Sequence, residues 1–457
     1  MTKHLPNRAM DKHIGRLALP NVIANISVPL LGMVDTAIVG HLSSMHIAAI
    51  AIGTSIFNLI YWNFGFLRMG TSGFTAQAFG AKRFDVAIKT LIQASFIALC
   101  AATLLISLQH PIARGATLLF ATDATILHLA LTYFAVRIWA APATLGLYAI
   151  KGWFIGLQKP HIPMWISIAL NVVNIVCSLA FVLVWHWDIA GVALGTVIAQ
   201  YSGLAIGIVL TVKEIKQQQK RNTEKQPLID IIADSIQFKA MGKFFKVNAD
   251  IFLRTVCLSA VFTFLPVAGA HIGGNTLAIN TLLMQLFTLF SYIMDGLAYA
   301  GESLVGRYIG ARHANNLRLA LRRLTLWSAI FAILFSALYA SCGQWILGLF
   351  TNDNALLTYA KSYVWWVVAV PICGFGAFLM DGVYIGATAS STMLHAMLAA
   401  SLVFVCSYFG LKLIFHPDTY TPTIWNGILW TSFLLFLATR SIVQWARLRR
   451  DIIDKIS

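Results

Sequence analysis

Few residues in this chain can titrate, and those that can recur in short patterns. In "GMVDTAIVGHL" (32–42), Asp35 stands near the end of an apolar run that starts at Leu17, with no cationic neighbour along the sequence. A carboxylate placed there must be neutralised, hydrated at the headgroups, or used, since a bare charge in hydrocarbon is costly. "DGLAYAGE" sets Asp295, Tyr299 and Glu302 on one helical face at i, i+4 and i+7, and Asp381 opens "DGVYIG". In "NADIFLRT", Asp250 and Arg254 are four apart, the spacing of a helical ion pair, and a structural pair is expected there.

Uncharged polar residues form stripes beside these acids. At about 100° per residue, Asn21, Asn25 and Gly32 lie within about 80° of the direction of Asp35. Asn171, Asn174 and Ser178 share a face at spacings of three and four, and Thr196 and Gln200 do the same further on. Such stripes must face protein or water, because an unsatisfied polar group in lipid costs several kcal/mol. Pro20 and Pro29 interrupt the hydrogen-bond ladder of the segment that carries Asp35. A kinkable helix with an isolated acid suits a proton-coupled switch. Ordinary interhelical hydrogen bonding is the alternative for the asparagine and threonine stripes, and headgroup hydration is the alternative for Asp35.

The elements that position these residues follow from composition. The chain is 58% hydrophobic and 11% charged, where soluble domains carry about 25% charged residues. Apolar runs near the length needed to cross a ~30 Å hydrocarbon core recur throughout. We read twelve spans, roughly 17–41, 47–79, 86–108, 126–149, 162–185, 189–212, 244–270, 276–300, 317–340, 356–380, 392–415 and 424–446. Arg114, Lys361 and Lys412 fall on one side of this arrangement, and Arg68, Arg137 and Arg254 within spans. Nearly all of the other Lys and Arg lie toward the opposite side. Positive charge is retained in the cytoplasm, so both termini are expected there. The net charge of +16 is therefore a topology signal, and no nucleic-acid partner is expected.

The basic start (Lys3, Arg8, Lys12, Arg16) runs into a full-length span with no small-residue cleavage site, so no removable signal is read. The six cysteines, Cys100, Cys177, Cys257, Cys342, Cys373 and Cys406, form no metal spacing, and packed thiols are expected. No Walker A, HExxH, GxSxG or dinucleotide motif occurs. An enzyme is not expected, nor any bound cofactor, and an ion gradient is the remaining common energy source.

The second half echoes the first at an offset near 230. "FGAKR" (79–83) matches "IGARH" (309–313), "LFATDATILHLALTY" (119–133) matches "LFTNDNALLTYAKSY" (349–363), and "KGWFIG" (151–156) matches "DGVYIG" (381–386). Six spans per half return the chain to its starting side, so the halves share an orientation, as in parallel-repeat transporters. The expected division is an N-lobe over 1–212, a basic Gln-rich cytoplasmic linker over 213–243, and a C-lobe over 244–457.

The segments "LALPNVIANISVPLLGMVDTAIVGHL", "FLRMGTSGFTAQAFGAKR", "GVALGTVIAQY", "DGLAYAGE" and "DGVYIGAT" resemble the multidrug and toxic compound extrusion (MATE) family, in its DinF-type branch. The resemblance covers nearly the whole chain. It implies an all-α fold of twelve transmembrane helices in two pseudo-symmetric six-helix lobes, V-shaped about a central cleft. It also implies efflux of organic, often cationic, compounds in exchange for protons or sodium. It makes Asp35 the first-helix acid, Pro20 the bending proline, and Asn171 and Asn174 the fifth-helix asparagines. Asp295, Glu302 and Asp381 become the acids of the C-lobe. Many relatives place a second N-lobe acid where this chain has Ser178 in "NVVNIVCS", and its loss favours protons over sodium.

The expected function is a proton-coupled antiporter of the cytoplasmic membrane, working as a monomer on cationic or amphipathic organic compounds by alternating access. Sodium coupling on the same fold, or flipping of a lipid-linked or amphiphilic metabolite, is the alternative.

Overall fold

The computed structural model describes residues 6–40, 43–120, 123–221, 235, 238–351, 353–414 and 421–456. No strand occurs among them. The helices are α1 (Asn7–Gly40), α2 (Ser44–Asn63), α3 (Phe66–Gly80), α4 (Phe84–Ser107), α5 (Gln109–Leu119), α6 (Ala124–Arg137), α7 (Ala141–Gly156), α8 (His161–Leu179) and α9 (Asp188–Arg221). They continue as α10 (Phe238–Ile272), α11 (Gly274–Gly310), α12 (Ala314–Gly348), α13 (Asn354–Ala360), α14 (Val364–Gly386), α15 (Ser390–Ile414) and α16 (Pro422–Leu448). Among the described residues, twelve segments are long and apolar enough to cross a membrane, as the sequence predicts. The chain is a multi-pass helical membrane protein.

Three spans differ in detail from the reading of hydropathy. The second is two helices, α2 and α3, separated by a turn at Phe64–Gly65 whose amides bond to Tyr61 O and Trp62 O at 3.1 Å. The fourth is α6 and α7, joined by a 3-10 turn over Ile138–Ala140 just before Pro142, which has no N–H to continue the ladder. The tenth begins at Val364 rather than near 356, because residues 354–360 form the separate short helix α13. Mean hydropathy cannot see such breaks, since the flanking residues are equally apolar. Helix α1 runs without interruption through Pro20 and Pro29.

The repeated motifs now have a physical cause. Asp123 and Asp353 are N-caps: Asp123 accepts from Thr125 N at 2.8 Å, and Asp353 from Ala355 N at 2.9 Å and Leu356 N at 3.2 Å. Lys82 and Arg312 both turn left-handed (φ 59° and 53°), ending α3 and α11. Gln158 and Thr388 do the same (φ 61° and 52°) after α7 and α14. The glycines mark close crossings. A Cβ on Gly152 would overlap the carbonyl oxygen of Arg68, and one on Gly382 the carbonyl oxygen of Ala298. Each contact in the first half thus has its counterpart at the same offset in the second. Sequence similarity survives where backbone geometry tolerates no alternative.

Two compact units form, Leu19–Asn248 and Met1–Ala18 together with Ala249–Ser457. The lobe boundaries expected near 212 and 244 differ from this division, which falls inside α1 after Ala18 and inside α10 after Asn248. Side chains explain both crossings. Asp11 accepts from Arg323 Nε at 2.7 Å, from Arg323 Nη2, and from Trp327 Nε1 at 3.0 Å, which ties the start of α1 to α12. At the start of α10, Phe244 meets Phe74 with ring centroids 5.5 Å apart, and the Asn248 amide lies against Gly70. Part of the expected linker, residues 222–234 and 236–237, lies outside the described residues.

Each unit has its own core. In the first, Phe57, Tyr133, Phe134, Ile138, Val182 and Val192 are buried together. In the second, Phe287 and Phe433 cross edge to face at 5.5 Å, as do Phe290 and Phe378 at 5.9 Å.

Candidate functional site

The first unit places Asp35 in the C-terminal half of α1, where it is 5% exposed. Protein covers this carboxylate rather than leaving it to headgroup water. Its Oδ1 accepts no hydrogen bond among the described residues. The nearest opposite charge is Arg137, at the C-terminal end of α6, which attracts Asp35 through space without a direct ion pair. Arg137 is itself held by aromatic groups. Its Nη1 donates to Tyr133 Oη at 2.5 Å, and its guanidinium lies 4.8 Å from the centroid of Phe57 and 5.4 Å from that of Tyr133. Tyr61 and Tyr148 also sit within the field of Arg137.

No hydrogen bond joins Asp35 to Asn171 or Asn174. Asn171 donates to Ser27 O at 2.8 Å and so ties α8 to α1. Asn174, fully buried, donates to Thr196 Oγ1 at 3.0 Å, which in turn donates to Val192 O at 3.2 Å. Ser178 Oγ is buried without a hydrogen-bond partner among the described residues, and Gly195 packs so closely that a Cβ there would lie 2.5 Å from it. Asn21 is buried, Asn25 and Gln200 are half-buried, and Gly32 is exposed. Pro20 is the second residue past the division within α1. Asn171 and Asn174 thus join helices, while Arg137 and Tyr133 act on the acid through space. The signal available in the sequence was "TYFAVR", where Tyr133 and Arg137 are four apart.

The second unit corrects the expected Asp250–Arg254 pair. Asp250 Oδ2 instead accepts from Ser390 Oγ at 2.7 Å. Arg254 Nη2 donates to Asp381 Oδ2, which also receives Arg440 Nη2 at 2.6 Å, while Gln444 Nε2 reaches Asp381 Oδ1 at 3.0 Å. Arg254, Arg440 and Asp381 are 4%, 3% and 8% exposed. A buried guanidinium left unpaired is far costlier than a local pair at a helix surface is favourable, so Arg254 turns to the buried carboxylate. Arg440 also feels the half-buried Asp295. Glu302 is fully buried, and Tyr299 half-buried. Asp381 is thus saturated by cationic donors, which sets it apart from Asp35.

Sequence reasoning missed Arg440, Gln444 and a further buried cluster. Asn280 and Asn426 exchange amide hydrogen bonds at 2.8 and 3.0 Å, and Trp430 Nε1 donates to Asn280 Oδ1 at 2.9 Å. Their partners are about 150 residues away, so no local spacing announces them.

Two helical units, each with ionisable groups buried at membrane depth, define a membrane transporter rather than an enzyme. The family model for MatE matches residues 20–180 and 251–409, and the chain belongs to this family of multidrug efflux transporters. It is 34% identical to DNA damage-inducible protein F of Escherichia coli over 96% of this chain and 92% of that protein. Protein DETOXIFICATION 44, chloroplastic, of Arabidopsis thaliana is 26% identical over 96% of this chain and 83% of its own length. In fold, the chain is similar to the outward-facing conformation of a multidrug resistance MATE family transporter of the MOP superfamily. The TM-score is 0.82 at 20% identity, covering 98% of this chain and 97% of that one.

Proposed function

We propose that this protein exports cationic or amphipathic organic compounds across the cytoplasmic membrane in exchange for protons, as a monomer with both termini in the cytoplasm. One observation carries the coupling: Asp35 is buried with an unoccupied acceptor oxygen, and its only counter-charge, among the described residues, acts through space. Such a carboxylate can take a proton without first breaking a hydrogen bond to protein. Asp381, held by two arginines and a glutamine, cannot.

In this reading a proton from outside neutralises Asp35 and removes its attraction for Arg137. The aromatic pocket of Phe57, Tyr61 and Tyr133 then loses its bound field, and α1 is free to bend at Pro20, which lacks an amide to hold the helix straight. A cationic solute competes for the same carboxylate, so proton binding and solute release are linked. The chain's own carboxylates supply the proton site, and no cofactor is required.

The test is dye efflux from proteoliposomes with pH and sodium gradients imposed separately. A pH gradient alone should drive organic-cation transport, and Asp35→Asn should abolish it. Transport driven equally by sodium alone, or unimpaired Asp35→Asn, would overturn the proposal. Transport of a labelled lipid precursor with no competition from drugs would favour the flippase alternative.

A further inference from the structure

Helix α9 is longer than a membrane requires. Its 34 residues span about 51 Å, against a hydrocarbon core of ~30 Å. The excess lies at its C-terminal end, where the apolar sequence stops at Val212 and "KEIKQQQKR" begins. At 100° per residue, Lys213, Lys216 and Lys220 fall within about 60° of one another, so one face carries three ammonium groups. Gln217 adjoins them, and Val209 continues the same face toward the membrane. Val209 and Val212 are 66% and 44% exposed, and all three lysines are exposed. Val209, Val212, Lys213, Lys216, Gln217 and Lys220 line a cavity of about 460 Å³.

The one acid within this stretch is occupied elsewhere. Glu214 points to a different side of the helix and is 5% exposed. It pairs with Lys159 at 2.5 Å and accepts from Gln218 Nε2 at 2.9 Å. Lys213, Lys216 and Lys220 form no ion pair with any described carboxylate. The face therefore offers positive charge that no described carboxylate neutralises, beginning where the exposed valines end. At a rise of 1.5 Å per residue, Lys213 to Lys220 cover the first ~12 Å beyond Val212. That depth includes the headgroup layer, which adds roughly 5–8 Å on each side of the core.

We propose that this face of α9 is a binding site for an anionic phospholipid of the surrounding bilayer, its phosphate held by Lys213, Lys216 and Lys220 and its acyl chains lying on Val209 and Val212. Ammonium groups suit a phosphate as mobile point charges with three donors each. Near an anionic surface each such lysine contributes on the order of a fivefold gain in binding.

The test uses the full chain, purified in detergent and exchanged against dioleoyl phosphatidylglycerol or dioleoyl phosphatidylcholine, with bound lipid counted by native mass spectrometry. The wild type should retain phosphatidylglycerol in preference to phosphatidylcholine, and added salt should weaken it. The triple variant Lys213→Gln, Lys216→Gln, Lys220→Gln should lose that preference by at least tenfold, and the triple Lys→Arg variant should keep it. Should the triple Gln variant fold poorly, Lys216→Gln alone should still weaken retention about fivefold. Equal retention by wild type and Gln variants would overturn the proposal. So would an equal loss in a Lys82→Gln, Arg83→Gln control, because the effect would then be one of net charge.

Discussion

Arg440 donates through Nη2 to Oδ2 of Asp381 at 2.6 Å, across 59 residues of sequence, and Arg254 converges on the same oxygen. One carboxylate thereby holds two buried guanidiniums together and joins α10, α14 and α16. Replacing Asp381 by Asn removes the carboxylate that both cations share, and breaking a buried pair in this way costs about 3–5 kcal/mol. We expect Asp381→Asn to lower the melting temperature sharply and to reduce the yield of folded protein. A variant with unchanged thermal stability would show that the cluster is not structural.

The opposite pattern is expected at Asp35. Its Oδ1 accepts no hydrogen bond among the described residues that Asn would break, and Asn is nearly isosteric, so folding should survive. Melting temperature and size-exclusion profile should match the wild type while proton-driven efflux falls at least tenfold. Asp35→Glu, which restores the charge, should recover part of the transport.

Gly152 and Gly382 make the same close approach in the two units, against the carbonyls of Arg68 and Ala298. Backbone cannot yield as a flexible side chain can. Gly152→Ala and Gly382→Ala should each destabilise by about 1–3 kcal/mol, the usual cost of forcing an extra methyl group into a packed site. Thermal unfolding followed by tryptophan fluorescence measures both. Gly115→Ala, where a Cβ would meet nothing within 4 Å, is the control and should be neutral or better.

Asp123 supplies a pH-dependent contribution outside the spans. The backbone amide of Thr125 holds its carboxyl below the usual carboxylate range, with the Thr125 side chain adding to the effect. Because the folded-state value is depressed, the stabilisation is complete above the ordinary aspartate value of about 3.9 and is lost as pH falls through the lower, folded-state one. Asp123→Ala should therefore melt below the wild type at pH 7, and the difference should shrink below about pH 4. A difference independent of pH would exclude the carboxylate as its source.

The membrane class, the twelve crossings and the two-fold repeat were legible in the sequence because they rest on local or additive quantities. Hydrocarbon thickness dictates span length, and the repeated motifs mark positions such as Lys82 and Arg312, or Gly152 and Gly382, where backbone geometry admits few residues. That Asp35 has no cationic neighbour along its own segment was legible too, while headgroup hydration remained an open alternative. Partnerships were not. A helical spacing of four suggested Asp250 with Arg254, yet Arg254 went to Asp381, because the cost of leaving a charge unpaired depends on burial and burial is decided by distant helices. The same holds for Arg137 beside Asp35, for Asn171 on Ser27, and for Asn280 with Asn426. Sequence determined which residues could carry charge at membrane depth. Tertiary structure alone decided which charge meets which, since contacts between helices have no period along the chain.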